Sequence, residues 1–416
     1  MLDEKVRGAQ TLVSIEKALK ENYLPVWRNG LTTEPTPLLG KIKKVPLKSN
    51  KIVATAPVGL SGGFGFGAEG LATPAAGAVK FERFTTDAKD MYVNIAISTK
   101  AVRLTSSGGA MANALDTEVK AAYETAKWNV GRSLFGNGDG VLAKTKAVSN
   151  SNTIELVTEP TVTDKETGAE ISNTNPHRLI KEGLIVDIYA KGATVDSEPQ
   201  AKGVRIVAVD RVNNKIVISG NAVTLDEGFI TVQNSYKKEL TGLGAIFDTN
   251  VNTIYGVDRT NNAYLFPTIV EANTDIDDGI IWDALEGAET YKNSKIDMLM
   301  MGKAAYKHYI DYLRTNNVRV EAMTKEITGG FKAIEYAFGN RNIDVVYEPF
   351  VPDDEVWGVE TGALELHTQE WDFADLQGGG IFNLMENSSV YRALLANYGD
   401  LICTNPGGCI RIVNCA

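Results

Sequence analysis

Between residues 51 and 136 a glycine-rich extended segment runs directly into one long amphipathic helix, and that pairing limits what the chain can fold into. Gly62, Gly63, Gly65, Gly67 and Gly70 are interleaved with Phe64 and Phe66. Pro74, Gly77 and the alternating run Lys80-Phe81-Glu82-Arg83-Phe84 follow. Glycine accepts either sign of φ, and strict alternation marks an extended strand, so the segment reads as a long two-stranded loop with a glycine tip. A two-stranded ribbon buries too little apolar surface to be stable by itself and needs another surface to lie on. The sequence has no apolar run of about 18 residues that would point to a membrane span. The expected surface is therefore a neighbouring subunit.

Residues 106–135 show the clearest helical period. Met111, Leu115, Val119, Ala122, Ala126, Val130 and Leu134 recur at threes and fours, while Asn113, Asp116, Lys120, Glu124 and Lys127 face away. Ser106 or Ser107 can cap the start and Gly136 can end it. At 1.5 Å per residue such a helix spans roughly 40 Å. That suits an ordinary core helix, and it also suits the backbone of a flat, elongated subunit.

Around this pair the chain divides by pattern. Residues 2–22 read as an amphipathic helix with Leu2, Val6, Ala9, Val13 and Leu19 on one face. The stretch to residue 50, broken by Pro25, Pro35, Pro37 and Pro46, reads as an extended arm. Short β runs at 153–158, 184–190, 204–210, 215–219 and 229–232, separated by turn signals, form a small all-β module, with a compact barrel as one arrangement. From residue 240 the pattern is mixed. Helices are expected after Asp275, Asp277 and Asp278 and over 303–315. Strands are expected at 296–301, 343–347, 355–359, 363–367, 390–395 and 408–413.

Composition narrows the function. A formal net charge of −10 over 416 residues argues against a protein whose main task is gripping nucleic acid. The charged N-terminus lacks an apolar signal core, so synthesis and retention in a cytoplasm are expected. Cys403, Cys409 and Cys415 are too widely spaced for a typical zinc site and have no histidine nearby. They read as reduced thiols, with Cys409, Arg411, Val413 and Cys415 sharing one face of a strand.

Four motif matches fail on context. Gly65-Phe66-Gly67-Ala68-Glu69-Gly70 fits the dinucleotide fingerprint, but Pro74 and Gly77 interrupt the helix that the pyrophosphate needs. Gly59-Leu60-Ser61-Gly62-Gly63 fits a nucleophile elbow, yet glycines follow the serine, and His177, His308 and His367 lie in three regions. Asn273 to Gly279 resembles a calcium loop with its glycine one place late and Ala284 where a glutamate is needed, so helix capping is the better reading. Gly136-Asn137-Gly138-Asp139-Gly140 lacks the lysine of a phosphate loop. Asp353-Asp354-Glu355 beside Pro352 reads as a solvated turn. No catalytic, cofactor-binding or metal residue is assigned. The candidate site is an interface: Gly62, Gly63, Phe64, Gly65, Phe66 and Gly67.

The order of pieces, with Tyr255-Gly256-Val257-Asp258-Arg259, the run from Asn340 to Val359, Gly362-Ala363-Leu364-Glu365-Leu366 and Asn397-Tyr398-Gly399-Asp400-Leu401-Ile402, resembles the major capsid protein of tailed bacteriophages, the Hong Kong 97-like capsid fold. The resemblance implies an α+β subunit. It implies an N-terminal arm at 1–50, an extended β loop at 51–103 and a spine helix with part of the peripheral domain at 104–149. An inserted β module would occupy 150–236, a mainly axial domain 237–345, and strands returning to both domains 346–416. It further implies self-assembly through pentamers and hexamers into an icosahedral shell around double-stranded DNA, held nonspecifically. Portal, scaffold and decoration proteins would be partners, the location would be the virion, and assembly would take place in the host cytoplasm. The start of the chain, a short helix before the arm, suggests a separate scaffold protein or none. An encapsulin-like nanocompartment shell around an enzyme cargo is the alternative, and a hydrolase using Ser61 or an acidic pair is the enzymatic one.

Overall fold

The computed structural model describes residues 19–58, 63–67, 75, 77–98, 110–158, 161–163, 170–172, 175–316, 324–327, 331–374, 381–384 and 388–415. Most of the helix expected over 2–22 lies outside the described residues; the first α-helix among them, α1 (Leu24–Thr33), lies inside the stretch expected to be an extended arm. Pro25 stands in its first turn, where a missing N–H costs nothing. Leu24, Trp27, Gly30 and Leu31 bury one face. The long helix α2 (Ala110–Phe135) follows the hairpin region; the serines expected to cap it lie outside the described residues. A short helix α3 (Leu243–Phe247) and two longer ones, α4 (Asp278–Lys292) and α5 (Lys303–Thr315), complete the set used below.

Lys51–Val58 and Lys80–Asp87 pair antiparallel in continuous register, from Lys51 opposite Asp87 to Val58 opposite Lys80. Eight residues of antiparallel strand reach roughly 27 Å. Beyond the last pair the two legs still touch: a Cβ on Gly63 would meet the Gly77 amide nitrogen at 2.8 Å. Among the described residues of this hairpin, Ile52, Ala56 and Phe84 are buried in the main core.

Lys89–Ser98 continues from the hairpin and pairs antiparallel with the long strand Val390–Cys403, from Gly399 opposite Lys89 to Val390 opposite Ser98. Leu364–Thr368 lies on the other side of that strand and pairs parallel with Lys43–Pro46, which adds a strand from the N-terminal part of the chain to a six-stranded sheet. α1 and α2 cover part of this sheet. Trp27, Leu31, Val119 and Ala126 share a core with Ile95, Trp371, Ala393 and Leu395.

A second sheet has seven strands in the order Thr268–Glu271, Ile410–Val413, Val356–Val359, Met298–Met301, Arg341–Tyr347, Phe331–Phe338 and Thr324–Ile327. α4 and α5 cover one face, where Ile281, Leu285, Tyr309 and Leu313 pack with Leu299, Met301, Ile343 and Val345. The other face joins the main core through Met298, Met300, Val346 and Trp357. Met298–Met301 is covered on both faces, which is why it is apolar without alternation.

Six strands between residues 141 and 232 form a closed barrel. Its strands run in the order Val141–Thr145, Gly228–Val232, Ile185–Ala190, Ala201–Asp210, Lys215–Ile218 and Thr153–Glu155. The two ends of that path meet at a Thr145–Leu156 bridge, with the Lys146 amide donating to Glu155 O and the Val157 amide to Lys144 O, both at 2.9 Å. Val186, Ile188, Ile206, Ile216, Ile218 and Ile230 fill the interior. Closure removes the unpaired edges that so small a β unit would otherwise expose.

Two sequence expectations need correcting. Asp354 and Glu355 are buried, not solvated. Glu355 accepts from Arg411 Nε at 2.8 Å and Nη2 at 2.6 Å, and from Trp357 Nε1 at 2.7 Å, a forked pairing that compensates for lost hydration. Cys409 and Cys415 do not share a face. Cys409 faces the main core and Cys415 the core under α4 and α5, because Asn414 adopts φ 58° and swings the chain out of strand alternation.

Candidate assembly surface

The candidate residues sit at the far end of the hairpin. Gly63, Phe64, Gly65, Phe66 and Gly67 are all exposed; Gly62 lies outside the described residues. Phe64 is 83% and Phe66 94% exposed, and their rings meet edge to face with centroids 5.3 Å apart. Nothing lies within 4 Å of a Cβ built on Gly67. Two phenylalanines held together in water on a glycine support are an unsatisfied apolar surface, since full burial of each would contribute roughly 2–3 kcal/mol. Val53 and Phe81 extend the exposed apolar surface along the legs.

The hairpin is anchored at its root by named bonds. The Thr85 amide donates to Tyr255 O at 2.8 Å, and the Phe84 and Tyr255 rings lie 5.5 Å apart. Tyr255 and Gly256 adopt φ 48° and 76°, a left-handed turn that brings this ring under the hairpin. Arg259, fully buried at the end of the same segment, donates to Ala245 O at 2.8 Å and Asp248 O at 3.0 Å, closing the last turn of α3. The Asp400 carboxylate accepts from Thr86 Oγ1 at 2.6 Å, Thr241 N at 2.7 Å, Thr241 Oγ1 at 2.9 Å and its neighbour's amide, Leu401 N, at 2.9 Å. Burial pushes this carboxyl above the usual range, and these donors pull it back.

Beside the hairpin root runs a cleft of about 1020 Å³. Met91 and Val93 of the strand after the hairpin and Ala122, Ala126 and Val130 of α2 give it an apolar floor, with Lys237 and Lys238 among its rim residues. Its wall is fixed by a buried pair: Arg132 donates to Glu239 Oε2 at 2.8 Å and Oε1 at 2.6 Å. α1 is locked against α2 by Tyr123 and Lys127, which donate to Glu34 at 3.0 and 3.1 Å. The Lys127 ammonium holds the Glu34 carboxyl below its usual value.

The barrel meets the rest of the chain at a seam built on Trp128. Its ring contacts Phe350 at 6.2 Å, and the Lys181 ammonium sits 4.8 Å over it. Arg178, at the barrel's edge, donates to Phe350 O. Glu348 is buried there and its pKa is pushed up to about 8 by burial. Its Oε1 accepts from the Phe350 amide at 3.3 Å, and Oε2 has no partner among the described residues.

Among the described residues the catalytic candidates are not brought together. Ser61 lies outside the described residues. His177 precedes the barrel strand at 185, His308 pairs with Asp275 at 3.0 Å on α5, and His367 faces Glu365 at 3.3 Å in a strand. Asp277 caps α4, accepting from the Ile280 amide at 2.9 Å, as the capping reading of that acidic run expects. Sequence reasoning located the tip but not the cleft, whose residues come from 88–96, 118–133, 232–240, Trp371 and 392–394. It located the segment containing Asp400 but not the Thr86 and Thr241 contacts that give the residue its role.

The chain matches solved capsid and encapsulin structures over nearly its whole length. It is 10% identical to the cyanophage A-1(L) capsid asymmetric unit, covering 94% of this chain and 92% of that one with a TM-score of 0.49. It is 8% identical to the holo-SrpI encapsulin complex of Synechococcus elongatus PCC 7942, covering 90% and 85%, with a TM-score of 0.44. For the capsid of a native GTA particle the identity is 10%, the coverage 100% and 95%, and the TM-score 0.42. No family model matches the sequence, and no curated protein matches it.

Proposed function

We propose that this chain is the major capsid protein of a tailed bacteriophage, a structural subunit that assembles through pentamers and hexamers into a closed icosahedral shell around double-stranded DNA. The observation that carries this reading is the hairpin. Its root is fixed by Asp400 and Tyr255, while its tip presents Phe64 and Phe66 to solvent. A subunit that extends an apolar tip beyond its own core gains contact area on a neighbour without enlarging that core. Contacts of this head-to-tail kind close into rings.

In this reading the hairpin tip lies on the adjacent subunit, and the cleft along α2 is a surface that a neighbouring chain can fill. The acidic chain holds packaged DNA by weak, nonspecific contact, as suits a container that must release it. The virion is its location and the host cytoplasm its place of assembly. Portal, scaffold and decoration proteins are its further partners, and no catalytic role is assigned.

Electron microscopy and sedimentation of the recombinant chain test this. Closed particles, rings or sheets are expected, and a chain that stays a monomer even when expressed with phage scaffold would sink the assignment. Particles holding nucleic acid support the phage reading, whereas particles copurifying with one protein cargo would shift it to a nanocompartment. Deleting residues 60–70 should leave a folded monomer that closes no shell.

A further inference from the structure

We infer that the outer faces of α4 and α5 form a charge-matched contact between neighbouring copies of this chain, an inference that rests on the shell reading above. In α4 the buried residues Ile281, Ala284, Leu285 and Ala288 place Gly279, Asp283, Glu286 and Thr290 on the opposite stripe, at i, i+4, i+7 and i+11. All four are exposed. In α5 the buried Ala305, Tyr309 and Leu313 place Lys303, Lys307, Asp311 and Arg314 outward. Arg314 has a partner in its own helix, Asp311 at 3.6 Å, and Glu289 has one in Arg341 at 2.9 Å. Among the described residues no hydrogen bond or ion pair engages the side chains of Asp283, Glu286, Lys303 or Lys307.

Two carboxylates and two ammoniums therefore remain on one layer of the molecule, sorted by helix. Their spacings correspond. Asp283 and Glu286 are separated by about 4.5 Å of helix rise, and Lys303 and Lys307 by about 6 Å, so two rungs can form at once. Both helices pack on the same face of the seven-stranded sheet, so both stripes point away from one core. Within a single copy they cannot face each other. Between copies they can, and because the two stripes differ, the contact is heterologous and propagates around a ring. Trp282, 44% exposed and packed at a tilt on Phe338 with ring centroids 4.6 Å apart, supplies an aromatic anchor on the flank of the acidic stripe. Exposed pairs of this kind set register and encounter rate more than affinity.

The test is charge reversal. In the full chain, Asp283→Lys with Glu286→Lys should lower the yield of rings and shells about tenfold at low salt, by placing like charges together. Adding Lys303→Glu and Lys307→Glu to the same chain should restore it. Wild-type assembly should also slow as ionic strength rises from about 0.05 to about 0.5 M. Unchanged assembly in the first variant, no recovery in the fourfold variant, or salt-indifferent wild-type assembly would each overturn the pairing. Should the first variant fail to fold, as read by circular dichroism, the Lys303→Glu, Lys307→Glu variant and the salt series decide. Wild-type shells with indifferent variants remove only this contact; a wild type that forms no rings or shells removes the shell reading itself.

Discussion

The Thr86 hydroxyl donates to the Asp400 carboxylate at 2.6 Å, across 314 residues of sequence, and joins the root of the hairpin to the longest strand of the molecule. The same carboxylate holds the backbone and hydroxyl of Thr241, just ahead of α3. One side chain thus sets the angle at which the hairpin leaves the body. Asp400→Ala leaves these donors without an acceptor and should cost about 2–4 kcal/mol in a denaturant titration. Thr86→Val, which removes one donor only, should cost about 1 kcal/mol and make the hairpin more sensitive to limited proteolysis. Equal protease sensitivity in Thr86→Val and wild type would show that the hairpin angle is fixed elsewhere.

Glu348 costs the chain stability as pH rises from about 4.5 to about 8. Burial raises its pKa from 4.5 to about 8, so between those values the unfolded chain has lost the proton that the folded chain keeps. The contribution of the protonated Glu348 is therefore fully present below pH 4.5 and is lost as pH rises towards 8, by a few kcal/mol in all. Glu348→Gln retains an acceptor for the Phe350 amide and removes the titration. Urea midpoints measured from pH 5 to 9 should fall less in this variant than in wild type, with the difference developing below about pH 8; parallel curves would place the loss on another group.

Gly242 is held in a backbone cage at the end of α2. A Cβ there would meet the carbonyl oxygens of Leu134, Ser133 and Gly136 at 2.5 to 2.6 Å. Backbone cannot yield as a flexible side chain does, so Gly242→Ala should destabilise the chain by about 2–3 kcal/mol and loosen α3 from the end of α2. Hydrogen exchange across 240–248 reports the second effect, and unchanged protection there would contradict it.

Phe64→Ser with Phe66→Ser removes an exposed apolar pair and no core contact. Thermal unfolding of the monomer should shift by no more than about 0.5 kcal/mol, because the change lies outside every buried cluster. Particle formation, followed by light scattering, should be lost. Shells of normal size from this variant would show that the tip is not an assembly contact.

What the sequence made legible follows from the range of the interaction concerned. The hairpin legs, α2, α4 and α5 carry their own periodicity, and each appears where the alternation or the threes and fours place it. α1 was hidden because Pro25 reads as a breaker until it is seen in the first turn, with Trp27 packed on Tyr123 at 5.5 Å. Asp354 and Glu355 looked solvated because Arg411, which pairs with Glu355, is far along the chain. Val141–Thr145 was missed because a strand of five residues directly after a glycine-rich turn offers too short a pattern. The tip of the candidate site could be read locally; the cleft could not, since its walls come from separate stretches that only the fold brings together.

The barrel's own geometry has a consequence for how such a chain can vary. Its first and last strands are neighbours, with Val141 opposite Thr231, so the chain leaves the body and returns to it at nearly the same point. Paired strands lie about 5 Å apart, a gap that two or three residues can bridge. The whole unit is therefore a cassette: a link of two or three residues could stand in its place, and what such a replacement would lay open is the seam at Trp128 and Phe350, where Arg178 now caps the Phe350 carbonyl.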